Sequence, residues 1–232
     1  MYVQYLAIIN LMTDRTKAAY GNFARYYDSD DNPLILLEHQ PVVKAVTPNP
    51  RDHLLEAACG TGRYIKNWLD RGAEVSGFDF SEEMLEIARH KFPELDLIVA
   101  NLDEHLPYDN ESFNVVNCSQ ALKHISDPGL CLREFCRITA PGGRVVFSVT
   151  HPDMTWDDFI MVNQPEFLIG QEADVFHHSF EAYRRAIQTT SLVVGEIRTV
   201  KIGSRIRPML TPRSFEQVCG RPMVAIFILH KP

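Results

Sequence analysis

Gly60, Thr61 and Gly62 follow a short apolar run, "HLLEAA", and open onto "RYIKNWLDRG". A strand, a glycine turn and a helix in that order place backbone N–H groups and a helix N-terminus beside a ligand, with no side chain in the way. Several ligand chemistries suit such a turn. A P-loop needs GxxxxGK[ST], and no Lys-Ser or Lys-Thr follows at that distance. A dinucleotide site needs a third glycine where this chain has Ile65, which leaves that reading in weakened form.

A third chemistry, an adenosyl group without phosphates, asks for close backbone approach at one end and a carboxylate on the next strand for the ribose. Asp79 in "VSGFDFSEEML" ends that strand and can accept from both ribose hydroxyls. Phe80 and Met84 flank it as an apolar shelf for a base. Beyond the third strand, in "VANLDEHLPYDNESFNVV", Asn101 can meet the adenine amino group, the backbone of Leu102 a ring nitrogen, and Asp103 closes the loop. Together these residues fit S-adenosylmethionine. Glu56, at the end of the first strand, is a buried acid that needs a partner, and the methionine ammonium is the one expected. Arg63 opens the first helix within reach of a carboxylate, or lies solvated on the surface.

Two histidines stand where an acceptor would lie. His124 in "QALKHISD" and His151 in "VTHPD" follow the fourth and fifth strands, at the carboxyl edge of the sheet. An imidazole titrates near neutrality, at about 6.5, and suits proton abstraction from an acceptor. A helix-start hydrogen bond for His124 and a strand stop for His151 are the plainer alternatives. Adjacent His177 and His178 are not expected to chelate one metal, and the sequence assigns no metal site.

The elements that must carry these residues alternate along the chain. Residues 13 to 28 have helical spacing, "LILLEHQPVVKAV" gives one or two helices around Pro41, and "TPNPRD" is a linker. Then come strand "HLLEAA", a helix closed by Gly72, strand "AEVSGF", and helix "SEEMLEIARHKF" with Ser81 as N-cap and an acidic first turn. Strands "LDLIVA" and "SFNVVNC", helix "DPGLCLREFCRIT" and strand "GGRVVFSVT" complete a βαβ series. Such a series predicts a doubly wound parallel sheet. Helix "SFEAYRRAIQTT" precedes "LVVGEIRTVKI" and "PMVAIFILHKP", which read as a closing antiparallel pair.

"LLEAACGTGR", "VSGFDFSEEMLEIAR", "NLDEHLPYDNESFNVV" and "ITAPGGRVVFSVTHP" resemble the successive motifs of class I S-adenosylmethionine-dependent methyltransferases, in order, over about residues 50 to 151. The resemblance implies an α/β, Rossmann-like fold: a seven-stranded, mostly parallel sheet in order 3-2-1-4-5-7-6 with strand 7 antiparallel. It implies that Tyr27, on an N-terminal helix with Tyr20, is a lid residue, and that the backbone at Cys118 and Ser119 meets the methionine amino group. Glu56 and Ala58 stand where many members have Asp and Gly, and Asn101 where many have Asp. Ala58 brings a methyl group to a position of tight backbone conformation. The expected organisation is a helical lid over residues 1–48 and a methyltransferase domain over 49–232, with a cap at about 151–190. Met154, Trp156, Phe159, Met161, Phe167, Phe176 and Tyr183 either line an apolar acceptor pocket in that cap or pack it.

Composition narrows the partners. A chain of 232 residues with a formal charge of −7 has no wide basic face for nucleic acid, and nothing resembles the (D/N/S)PP(Y/F) motif of DNA amino-methyltransferases. Five scattered cysteines without a CxxC pair fit reduced thiols in a cytoplasmic protein. "MYVQYLAIINLM" is too short to span a bilayer and lacks a basic n-region, so neither a membrane nor an export role is expected. The sequence therefore points to methyl transfer from S-adenosylmethionine to an oxygen or nitrogen of a small molecule, with a homodimer left open. An enzyme of the same fold that binds the cofactor but catalyses a cyclisation or elimination is the alternative.

Overall fold

The computed structural model describes residues 14–28, 32–155, 157–158, 162 and 175–232. Seven strands form one sheet: β1 (His53–Ala57), β2 (Glu74–Asp79), β3 (Leu97–Val99), β4 (Phe113–Ser119), β5 (Thr139–Thr150), β6 (Val193–Lys201) and β7 (Pro222–His230). Their order is β3-β2-β1-β4-β5-β7-β6, as expected. β1 to β5 pair in parallel, while β7 runs antiparallel to both β5 and β6.

Helices cover both faces. α1 occupies residues 14–23, followed by α2 (Pro33–Val46), α3 (Ile65–Leu69), α4 (Glu82–Lys91), α5 (Pro128–Ile138), α6 (Phe180–Gln188) and α7 (Pro212–Val218). Strand alternation sends Leu54, Val115, Val146 and Ile226 to one face, against α2, α3 and α4. Leu55, Val116, Phe147 and Phe227 go to the other face, against α5 and α6. Both faces are apolar because both are covered, which is why the strands read as near-continuous hydrophobic runs.

Local chemistry sets the helix starts. Asn32, Ser81, Asp127 and Ser179 each cap a helix by accepting from a backbone N–H of the first turn. Glu82 and Glu83 sit in the first turn of α4, and Arg89, His90 and Lys91 in its last, matching the helix dipole. Pro41 lies inside a single helix α2 instead of dividing two. α3 is shorter than the sequence pattern suggests, because the chain already turns at Asp70 toward Gly72 at φ 78°.

Among the described residues, α1 and the turn after it place Thr16, Tyr20 and Tyr27 against a cavity at the carboxyl edge of the sheet. α2 is packed into the core through Leu34, Leu37, Val42, Val43 and Val46, and Arg144 anchors its end through Val46 O and Thr47 O. Of the aromatic and methionine residues expected to line or pack a cap, Tyr183 packs against Phe147 and Phe227, Phe176 stacks on His178, and Met154 is buried in the core. Trp156, Phe159, Met161 and Phe167 lie outside the described residues, as do residues 1–11. No helix among the described residues is long and apolar enough to cross a membrane.

Candidate functional site

The ends of β1, β2 and β4 surround a cavity roofed by α1. Its empty volume is about 680 Å³, with the open mouth included. Tyr27, Ala58, Gly60, Asp79, Phe80, Met84, Asn101, Leu102, Asp103, Ser119 and His124 all contribute to its wall. This is where α/β sheets bind ligands, because adjacent strands lead their helices to opposite faces and leave a crevice.

Asp79 is the charged centre of the wall, 5% exposed. Its Oδ2 accepts from Gly60 N at 2.8 Å and its Oδ1 from Ser81 N at 3.0 Å. Burial pushes the carboxyl up to about 6, partly offset by these backbone hydrogen bonds. Each oxygen keeps a further lone pair for a ligand hydroxyl. Asn101 Oδ1 accepts from Asp103 N at 3.1 Å, an Asx turn that shapes the next loop.

The two glycines of the turn are needed for different reasons. Gly60 has φ 54°, and a Cβ placed on it would meet only the Tyr27 ring, at 3.9 Å. The space above it is open for a ligand. Gly62, at φ 78°, would drive a Cβ to 2.9 Å from the Phe92 ring, so packing against α4 excludes a side chain there. Ala58 and Gln120, both on the cavity wall, adopt φ 52° and φ 60°. Such conformations cost L-residues about 1–2 kcal/mol each. Ala58 thus adopts the left-handed turn despite its methyl group.

Tyr20 and Tyr27 form the roof, with ring centroids 6.1 Å apart. Tyr20 meets Phe80 edge-on, and its hydroxyl lies 2.8 Å from His124 Nε2. Burial raises Tyr20 well above its ordinary value, so the phenol stays protonated. Asp28 ties the roof down: it accepts from Thr61 Oγ1 at 2.7 Å and pairs with Lys91.

Other expected residues lie behind the wall. Glu56, 2% exposed, shares the face of Leu54 and is met by Trp68 Nε1 at 2.6 Å and by Asn117 Nδ2 at 2.8 and 2.9 Å. Burial raises it to about 7, against the lowering effect of both hydrogen bonds. It therefore has protein partners where a ligand ammonium was expected. The Cys118 side chain turns into the core. Arg63 is no solvated surface residue: its Nη2 pairs with Glu38 at 2.7 Å and its Nη1 is buried without a partner.

His151 stands apart from the cavity wall. Its Nε2 is 3.2 Å from Thr199 Oγ1, its Nδ1 accepts from Asp153 N, and its ring meets Phe180 edge-on. Burial lowers its pKa. His177 and His178 contact the carbonyls of Pro152 and Ile125.

Thr16, Gln120, Ala121 and Ile125 also face the cavity, and sequence patterning did not single them out. Gln120 directly follows Ser119 in "NCSQ", so the strand end was legible. The left-handed turn that swings it inward was not.

Comparison with known proteins agrees with this geometry. Residues 55–147 match the family described as "Methyltransferase domain". The chain is 31% identical over 151 residues to a demethylmenaquinone methyltransferase of Renibacterium salmoninarum, covering 63% of each protein. It is 31% identical over 140 residues to a malonyl-[acyl-carrier protein] O-methyltransferase of Yersinia pestis, covering 60% of this chain and 52% of that one. The chain thus spans less than two thirds of either relative's length. Its fold matches that of the methyltransferase held by the Trm112 activator of Haloferax volcanii, with TM-score 0.72 at 20% identity, covering 92% and 97% of the two chains.

Proposed function

We propose that this chain, whose residues 55–147 match the methyltransferase-domain family, is a class I S-adenosylmethionine-dependent methyltransferase, that its cavity holds S-adenosylmethionine and that it methylates a small molecule at oxygen or nitrogen. The carrying observation is Asp79, a buried carboxylate joined to Gly60 N–H in the same cavity as Asn101, Leu102 and Asp103. That arrangement offers acceptors to a ribose, a polar loop to an adenine edge and the shelf of Phe80 and Met84 to its face. The turn has neither the Lys-Ser or Lys-Thr of a P-loop nor the third glycine of a dinucleotide site. The open space over Gly60 and the unpaired Nη1 of Arg63 suit the cofactor's close approach and its carboxylate.

When bound, S-adenosylmethionine supplies a methyl group activated by its sulfonium charge. The residues of this chain then have the tasks of aligning an acceptor and excluding water. Tyr20 and Tyr27 cover the cavity, and the Asp28 contacts to Thr61 and Lys91 hold them over the glycine turn. His124, oriented by Tyr20, is placed to take a proton from an acceptor hydroxyl or amine. His151 has the weaker claim to this role, since it does not line the cavity. The relative that acts as an O-methyltransferase supports an oxygen acceptor.

The test is calorimetric titration with S-adenosylhomocysteine, followed by an acceptor panel read by mass spectrometry. Binding, and one demethylated cofactor formed per methylated product, is the expected outcome. Product without demethylated cofactor would favour cyclisation or elimination, and binding of NAD in its place would overturn the assignment.

A further inference from the structure

Helix α2 carries a buried carboxylate that methyl transfer, as proposed, does not use. Glu38 is fully shielded from solvent, on a helix that precedes residues 55–147. A buried carboxylate is costly unless its lone pairs are met. Glu38 Oε1 accepts from Arg63 Nη2 at 2.7 Å and from the Tyr64 hydroxyl at 3.1 Å. Its Oε2 accepts from Gln120 Nε2 at 2.6 Å and from the Ser148 hydroxyl at 3.1 Å. One carboxylate thus ties the segment after the glycine turn, the end of β4 and β5 to α2.

This grip leaves a particular pattern of free valences. Arg63 gives Nη2 to Glu38 while Nη1 stays buried without a partner, and Gln120 gives Nε2 while Oε1 stays buried without a partner. Gln120 lines the cavity at φ 60°, and the Arg63 guanidinium lies 5.9 Å from the ring centroid of Tyr27, another wall residue. An unpaired donor and an unpaired acceptor therefore flank the same carboxylate beside the cavity. An α-amino acid group, with an anionic acceptor end and a cationic donor end, would satisfy both.

We propose that Glu38 is a positioning residue that orients Arg63 Nη1 and Gln120 Oε1 toward the amino-acid end of the cofactor. The proposal rests on the cofactor assignment above. A purely structural Glu38 would hold α2 to the sheet with no preference for one part of the ligand.

The test compares two nucleosides by calorimetry. S-Adenosylhomocysteine carries the amino-acid group, and 5′-methylthioadenosine keeps adenine, ribose and thioether without it. Glu38→Gln and Gln120→Ala are each expected to weaken S-adenosylhomocysteine by at least about tenfold while leaving 5′-methylthioadenosine unchanged. The double variant should lose little more than the worse single one, because both act on one contact set. If Glu38→Gln does not fold, Gln120→Ala carries the comparison. Equal losses for both nucleosides, or no loss for either, overturn the proposal. A wild type that binds neither nucleoside overturns the cofactor assignment, and this proposal with it.

Discussion

Replacing Glu56 by Gln should make the protein more stable above neutral pH and leave it little changed in mild acid. Glu56 is buried beside Trp68 and Asn117, and burial raises its carboxyl to about 7 despite hydrogen bonds from both. Its folded pKa lies above the unfolded value, so the folded state holds the proton more tightly. The stability this brings is complete below the unfolded value near 4.5 and is lost as pH rises through about 7. Once the group is ionised in both states, the loss is about 3 kcal/mol. Glutamine keeps the shape and an oxygen for Trp68 Nε1, and its amide can donate to Asn117 Oδ1, which now has no partner, after that side chain flips. The stability of Glu56→Gln relative to wild type should therefore rise by about 2–3 kcal/mol between about pH 5 and about pH 8. Urea unfolding of both proteins across that range reads the difference, and any contribution from Asp79 cancels between them. Parallel pH profiles would refute the reasoning and show that Glu56 is ionised at no cost. Cofactor affinity should change little, since Glu56 is not on the cavity wall.

Asp79→Asn should weaken S-adenosylhomocysteine by at least about tenfold, because charge-assisted hydrogen bonds contribute about 1.5–3 kcal/mol each; unchanged affinity by calorimetry would remove the ribose assignment. Since burial places Asp79 at about 6, and ligand hydroxyls favour its ionised form, wild-type affinity should climb with pH toward neutrality and level off above it, while the Asn variant stays flat. Tyr20→Phe should lower kcat and leave nucleoside affinity nearly intact, and a full rate would reduce Tyr20 to a packing residue of the roof. His151→Ala should keep most turnover but lower stability by about 1–3 kcal/mol, as expected for losing buried hydrogen bonds. A collapse of kcat without a shift in thermal midpoint would return His151 to the catalytic group.

The order of elements, the closing antiparallel strand, the glycine turn and the Asp79 and Asn101–Asp103 positions were all legible in the linear chain. Each is written in local terms: a period of apolar residues, a cap, or a turn residue at a fixed distance from a strand end. Tertiary structure decided which way the strand-end side chains face. Strand alternation sends Glu56 toward Trp68, away from the cavity, and a one-residue change of register would have reversed it. The left-handed turn at Gln120 swings a residue with no local signature into the wall. The pairing of Glu38 with Arg63, Gln120 and Ser148 joins residues up to 110 positions apart. Such contacts depend on how α2 crosses the sheet, a geometry set by packing the whole core and written in no single stretch of sequence.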